Sequence, residues 1–229
     1  MKKVLLLLIV TFTSYQSYAC VTCNKQIQET LFDSTFYPNL FTMLSAFIVL
    51  GIMVALLAFI TTRRHKLRTT ANPHVPILNP VPLTSAATVL GIGIGGFIDG
   101  IVLHQILQWH EMLSNKLPPD TLVAKSVNMF WDGIFHAFTL LVVITGIILL
   151  WRLLFRRDIS HSGRLLAGGL LLGWGLFNMV EGIIDHHLLK LHNVREITAH
   201  VDAWNYGFLG LSVLMIIGGF SLANQEKRR

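Results

Sequence analysis

The feature that most constrains this chain is a succession of predominantly apolar stretches about 20 residues long, the length needed to cross a hydrocarbon core of about 30 Å. They fall at 40–61, 83–108, 126–151, 165–188 and 200–222. Inside lipid every backbone N–H and C=O needs a partner within the protein, so stretches of this length are helices. Charged residues make up 13% of the 229 residues, against about 25% in an average soluble domain. The sequence therefore predicts an all-α multipass membrane protein with five spans, the lipid bilayer being its first partner. The net charge of +6 does not predict nucleic-acid binding, because the Lys and Arg residues cluster between apolar runs and form no basic face.

Lys2 and Lys3, a short apolar run ending at Phe12, and small residues at Ser17 and Ala19 predict a signal peptide over 1–19. A lipobox ending at Cys20 is the competing reading, but Ser17 stands where Leu is expected. Removal of the signal places the new amino terminus outside and, after five crossings, the carboxyl terminus inside. The charges agree. Arg63, Arg64, Lys66, Arg68, Arg152, Arg156, Arg157, Arg164, Lys227, Arg228 and Arg229 fall on the proposed inner side. Only Lys25, Lys116, Lys125, Lys190 and Arg195 fall outside. This is the orientation expected in a bacterial inner membrane. Pro73, Pro76, Pro80 and Pro82 predict an extended linker over 69–82. It separates a C-x-x-C segment and anchor helix (20–68) from a four-helix transmembrane domain (83–222), with a basic tail at 223–229.

Within that domain the sequence repeats. Asp99-Gly100, His104 and His110 align without gaps on Glu181-Gly182, His186 and His192. Asp132-Gly133-Ile134-Phe135-His136 aligns on Asp202-Ala203-Trp204-Asn205-Tyr206. Two hairpins related by a pseudo-two-fold axis along the membrane normal are expected, as in some transporters. Ionisable groups within spans cost several kcal/mol unless they face the bundle interior and find partners. Helical rise sorts them into an upper layer of His104, His186, Asp132 and Asp202. A second layer about 6–7 Å deeper holds Asp99, Glu181, His136 and Tyr206, with His110 and His192 at the mouth. Two imidazoles with two carboxylates suit a borderline transition metal such as zinc, iron, manganese or Cu(II). Helical geometry leaves one difficulty: at 100° per residue, Asp99 and His104 diverge by about 140°, unless Gly100 relaxes the helix locally.

Other readings stand beside this one. The same layer could be a metal-free hydrogen-bond network or an ion path, and Asp99 and Glu181 could orient His side chains without touching an ion. His104 and His186 could hold haem b. Cys20 and Cys23 form a C-x-x-C that could be a disulfide, a metal-capturing pair or an exchanging thiol pair. Gly91, Gly93 and Gly96 match G-x-G-x-x-G, but they lie within a span and not after a strand, so they predict close helix packing.

The stretches "GFIDGIVLHQILQWHEMLS", "WDGIFHAF" and "LFNMVEGIIDHHLLKLHNV" resemble an uncharacterised family of bacterial predicted membrane proteins, a domain of unknown function (DUF2243-like), over about 83–222. The family motif often has a second His after His110, where this chain has Glu111. Some members look fused to a copper-assembly type of domain. The resemblance thus implies copper handling, with respiratory oxidase or copper-delivery proteins as partners. Two functional classes follow: a metal-binding and handling protein, or a metal-dependent oxidoreductase or hydrolase. An apolar lateral cleft beside the site would favour the enzyme.

Overall fold

The computed structural model describes residues 24–71 and 78–226. The expected signal segment, Cys20, Cys23, residues 72–77 of the expected linker and the last three residues of the basic tail lie outside them. Among the described residues the chain is helical: α1 (Lys25–Leu31), α2 (Phe36–Ala71), α3 (Val81–Ile98), α4 (Leu122–Leu153), α5 (Gly163–Glu181) and α6 (Val201–Glu226). Two π-helical segments, π1 (Asp99–Ile106) and π2 (Gly182–Leu188), continue α3 and α5 without a break. Five helices are long and apolar enough to cross a membrane. Side chains set their starts: Asn24 caps α1, Thr121 caps α4 and Ser162 caps α5, each accepting an otherwise unpaired N–H of the first turn. The first long helix exceeds its expected span, running unbroken through Arg63–Arg68 to Ala71. Its 36 residues make a rod of about 54 Å.

The two helices that end in π segments lie in the middle. α3 and α5 are the buried pair, while α2, α4 and α6 present apolar side chains such as Phe41, Ile147 and Leu214 outward, the distribution expected of lipid-facing helices. Glycine makes the central contact. A Cβ on Gly173 would overlap the Thr88 carbonyl, and one on Gly91 the Leu170 carbonyl, so the two backbones touch where no side chain intervenes. The anchor is not separate from the four-helix domain. Met43, Ala46 and Leu50 of α2 share one core with Trp131 and Phe177, and Phe47 lies 5.5–6.3 Å from the rings of Phe135, Phe138 and Phe177.

At one end of the bundle the two π segments give way to loops 107–121 and 189–200. At the other, Asn79 bridges the loop after α4 through hydrogen bonds to Asp158 and Ser160. The arginines of α2 and of the loop after α4 belong to that second end, opposite His104, His110, His186 and His192.

Candidate metal centre

The two π segments remove the angular difficulty. A π-helix pairs residues five apart rather than four, so Asp99 and His104 come onto one face, and Glu181 and His186 do likewise. His104 Nε2 lies 3.1 Å from Asp99 Oδ2. The deeper acids and the upper histidines thus meet in one cluster.

The loops then fold back over it. Gln108 (φ 51°) and Lys190 (φ 49°) adopt left-handed backbone conformations just beyond each π segment. Trp109 N–H reaches back to the Leu103 carbonyl and Leu191 N–H to the Asp185 carbonyl. That reversal drops His110 and His192 onto the cluster, where their rings stack at 4.5 Å between centroids. His104 lies 4.3 Å from His110, and His186 lies 4.8 Å from His192. The four imidazoles, Asp99 and Glu181 are all buried. They divide into two triplets, Asp99-His104-His110 and Glu181-His186-His192, in each of which one ligand atom per residue lies within 4.8 Å of the others.

Hydrogen bonds fix two of the ring orientations. With its rings neutral, His110 donates from Nδ1 to the Val194 carbonyl at 2.9 Å, which leaves the Nε2 lone pair free and pointing inward. His104 Nδ1 is held by Asp132 Oδ1 at 2.9 Å, the carboxylate–histidine arrangement that orients metal-ligating imidazoles. Asp132 also accepts Met112 N–H, tying the loop to α4.

The sequence-predicted residues are not all brought in. Asp202 is exposed and away from the cluster. Tyr206 is 64% exposed and packs on His187. His136 is half-buried, its Nδ1 bonded to the Asp132 carbonyl, and it packs beside Gly100. The residue in α6 that matches Asp132 is Asn205. It accepts Val194 N–H as Asp132 accepts Met112 N–H, and Phe208 meets His186 as Phe135 meets His104. In the same register Leu209 fills against Gly182 the place that His136 fills against Gly100. The expected pairing of Asp132 with Asp202 is three residues out of step, because the acid-led similarity of the two strings outweighed the buried pattern behind it.

Several further polar groups near the cluster had no assigned place in the expected site. Asp185 sits beside the cluster with an unpaired Oδ1. Glu111 is buried with an unpaired Oε2, 3.8 Å from Lys125 at its other oxygen. Asn128 and Glu196 bind the loops, the first through Leu113 N–H and the Leu117 carbonyl, the second through Ser114 at 2.5 Å. Burial pushes the carboxyls of Glu111 and Glu196 up. It pushes His110 down to about 3 and His192 well below the usual imidazole range.

A family described as "predicted membrane protein (DUF2243)" matches residues 86–226. The chain belongs to this family. The match covers α3 to α6 and hence every residue of the histidine cluster, while α1 and α2 lie outside it. No curated protein and no solved structure matches the chain.

Proposed function

We propose that this protein holds two transition-metal ions, one in each carboxylate–His–His triplet. The observation that carries the reading is where the unpaired polar atoms lie. Buried side-chain N and O atoms without a partner, among the described residues, belong only to Asp99, His104, His110, Glu111, Glu181, Asp185, His186 and His192. Buried polar groups are ordinarily satisfied. A group of such exceptions on metal-ligating residue types, around one centre, points to cations as the missing partners. Charge leads the same way: no Lys or Arg among the described residues forms an ion pair with Asp99, Asp132, Glu181 or Asp185.

Two imidazoles with one carboxylate per ion suit zinc, iron, manganese or Cu(II), whereas Cu(I) favours sulfur donors. The ions would sit near the extracytoplasmic face, since the Lys/Arg bias supports an orientation with the histidine end outside. The matched contacts of the two arms support a pseudo-two-fold arrangement of α3–α4 and α5–α6. Copper handling for respiratory assembly is the role that the family resemblance implies. The rings of His110 and His192 pack against those of His104 and His186, which favours small ions over haem b at this place. An enzymatic role has one observation in its favour, the apolar cleft whose wall includes Asp99.

Elemental analysis of detergent-purified protein tests the reading. Two equivalents of one transition metal per chain are expected, and a His104→Ala/His186→Ala double variant should lose them. Unchanged metal content in that variant would overturn the proposal.

A further inference from the structure

Between α3–π1 and α6, with α5 as its floor, lies a cleft of about 580 Å³, within the size range of small-molecule sites. Trp109 and Trp204 line one end, Phe208 and Leu211 line it along α6, and Trp174 and Asn178 form the floor. From Trp204 to Leu211 the helix rises about 10 Å, so the cleft is a slot running down into the membrane-spanning part. Asp99 stands in its inner wall.

A cation marks the upper end. The Arg195 guanidinium lies 5.2 Å from the Trp109 ring and 5.4 Å from that of Trp204, a cation–π placement that fixes it over the aromatic rim. No carboxylate among the described residues pairs with it. An apolar slot headed by a fixed positive charge is complementary to a chain with one anionic end.

We propose that this cleft binds a single-chain anionic amphiphile of the fatty-acid class, its carboxylate at Arg195 and its chain along α6 against the Asp99 wall. Binding itself needs no metal. The inference deepens the metal-centre reading only by laying the chain beside a residue of that centre.

Gly207 offers a clean test. It lines the cleft, and a Cβ there meets nothing within 4 Å, so Gly207→Leu fills the slot without displacing the fold. Ala203→Phe obstructs it independently. Protein in phosphatidylcholine nanodiscs is titrated with dibromostearic acid while quenching of tryptophan fluorescence is read, with metal content measured on the same samples. Saturable quenching is expected in the natural protein and in the His104→Ala/His186→Ala variant. It should vanish in Gly207→Leu and Ala203→Phe with metal retained. Arg195→Gln, or a brominated long-chain alcohol in place of the acid, should weaken it about tenfold. Equal quenching in Gly207→Leu, equal affinity for the alcohol, or the same saturable signal from a two-chain brominated phospholipid would each overturn the proposal.

Discussion

His104 Nε2 and Asp99 Oδ2 face each other at 3.1 Å, both buried, without forming a hydrogen bond. Because His104 Nδ1 is engaged by Asp132, a neutral ring turns its Nε2 lone pair toward a carboxylate oxygen. Two acceptors at that distance repel unless a positive charge joins them, either a second proton on the ring or a bound cation. The fold has brought together groups that need a positive partner.

Asp132 and Asp202 should therefore behave oppositely. Asp132→Asn keeps the side-chain shape and an acceptor for Met112 N–H but weakens the support behind His104. Loss of such a partner typically lowers metal affinity 10–100-fold, and a competition titration with a chromogenic chelator should register a change of that size. Asp202→Ala should leave affinity unchanged. Equal effects from the two variants would restore the register expected from the sequence.

Acid should destabilise the metal-free protein. Unfolded histidine takes up a proton near pH 6.5, whereas buried His110 stays neutral down to about 3, and His192 is shifted the same way. Between those values the unfolded state binds more protons at these two sites, so their contribution is full above pH 6.5 and falls as pH drops toward 3. The raised carboxyls of Glu111 and Glu196 make a smaller opposite contribution. Each group contributes up to about 1.4 kcal/mol per pH unit within that window. Thermal melts of chelator-treated protein from pH 7.5 to 4.5 should show a falling Tm, which a flat profile would contradict.

The two left-handed residues make a further test. An L-residue at φ near +50° costs about 1–2 kcal/mol, a cost that glycine escapes. Gln108→Gly and Lys190→Gly should each leave the melting temperature unchanged or higher, since the extra freedom glycine gives the unfolded chain offsets part of the gain. β-Branched Val at either site should lower it and loosen metal binding by misplacing His110 or His192. Hydrogen–deuterium exchange across 107–121 and 189–200 would report the loosening.

Gly173→Ala should separate α3 from α5. The added methyl falls on the Thr88 carbonyl, which is backbone and has nowhere to go. Overpacking of this kind costs about 1–3 kcal/mol. Gly207→Ala, whose Cβ meets nothing, is the matched control in thermal unfolding.

Much of this was readable beforehand. Span lengths alone dictated helices, and the alignment of Asp99, His104 and His110 on Glu181, His186 and His192 identified the six residues that the structure brings together. The spacing of five between acid and first histidine looked wrong for an α-helix, and that mismatch was itself the signal of the π turn. Other features were hidden. Asp202 resembles Asp132 by type, but membership in the cluster depends on which helix face is buried, and in α6 that face carries Asn205. Glu111 is hidden for a related reason, since it lies on the loop that reverses at Gln108, a position with no glycine to announce a left-handed turn. The packing of α2 into the core was unreadable because a lipid-facing helix and a core-facing one share the same apolar composition.

The substitution of Asn205 for a counterpart to Asp132 gives the two arms unequal chemistry. His104 has an anion behind it and His186 has none, so an ion in the first arm would be gripped harder and biased toward its higher oxidation state. A duplicated scaffold that diverges at this one side chain could keep one ion as a permanent fixture and surrender the other, making a single bundle both vault and dispenser.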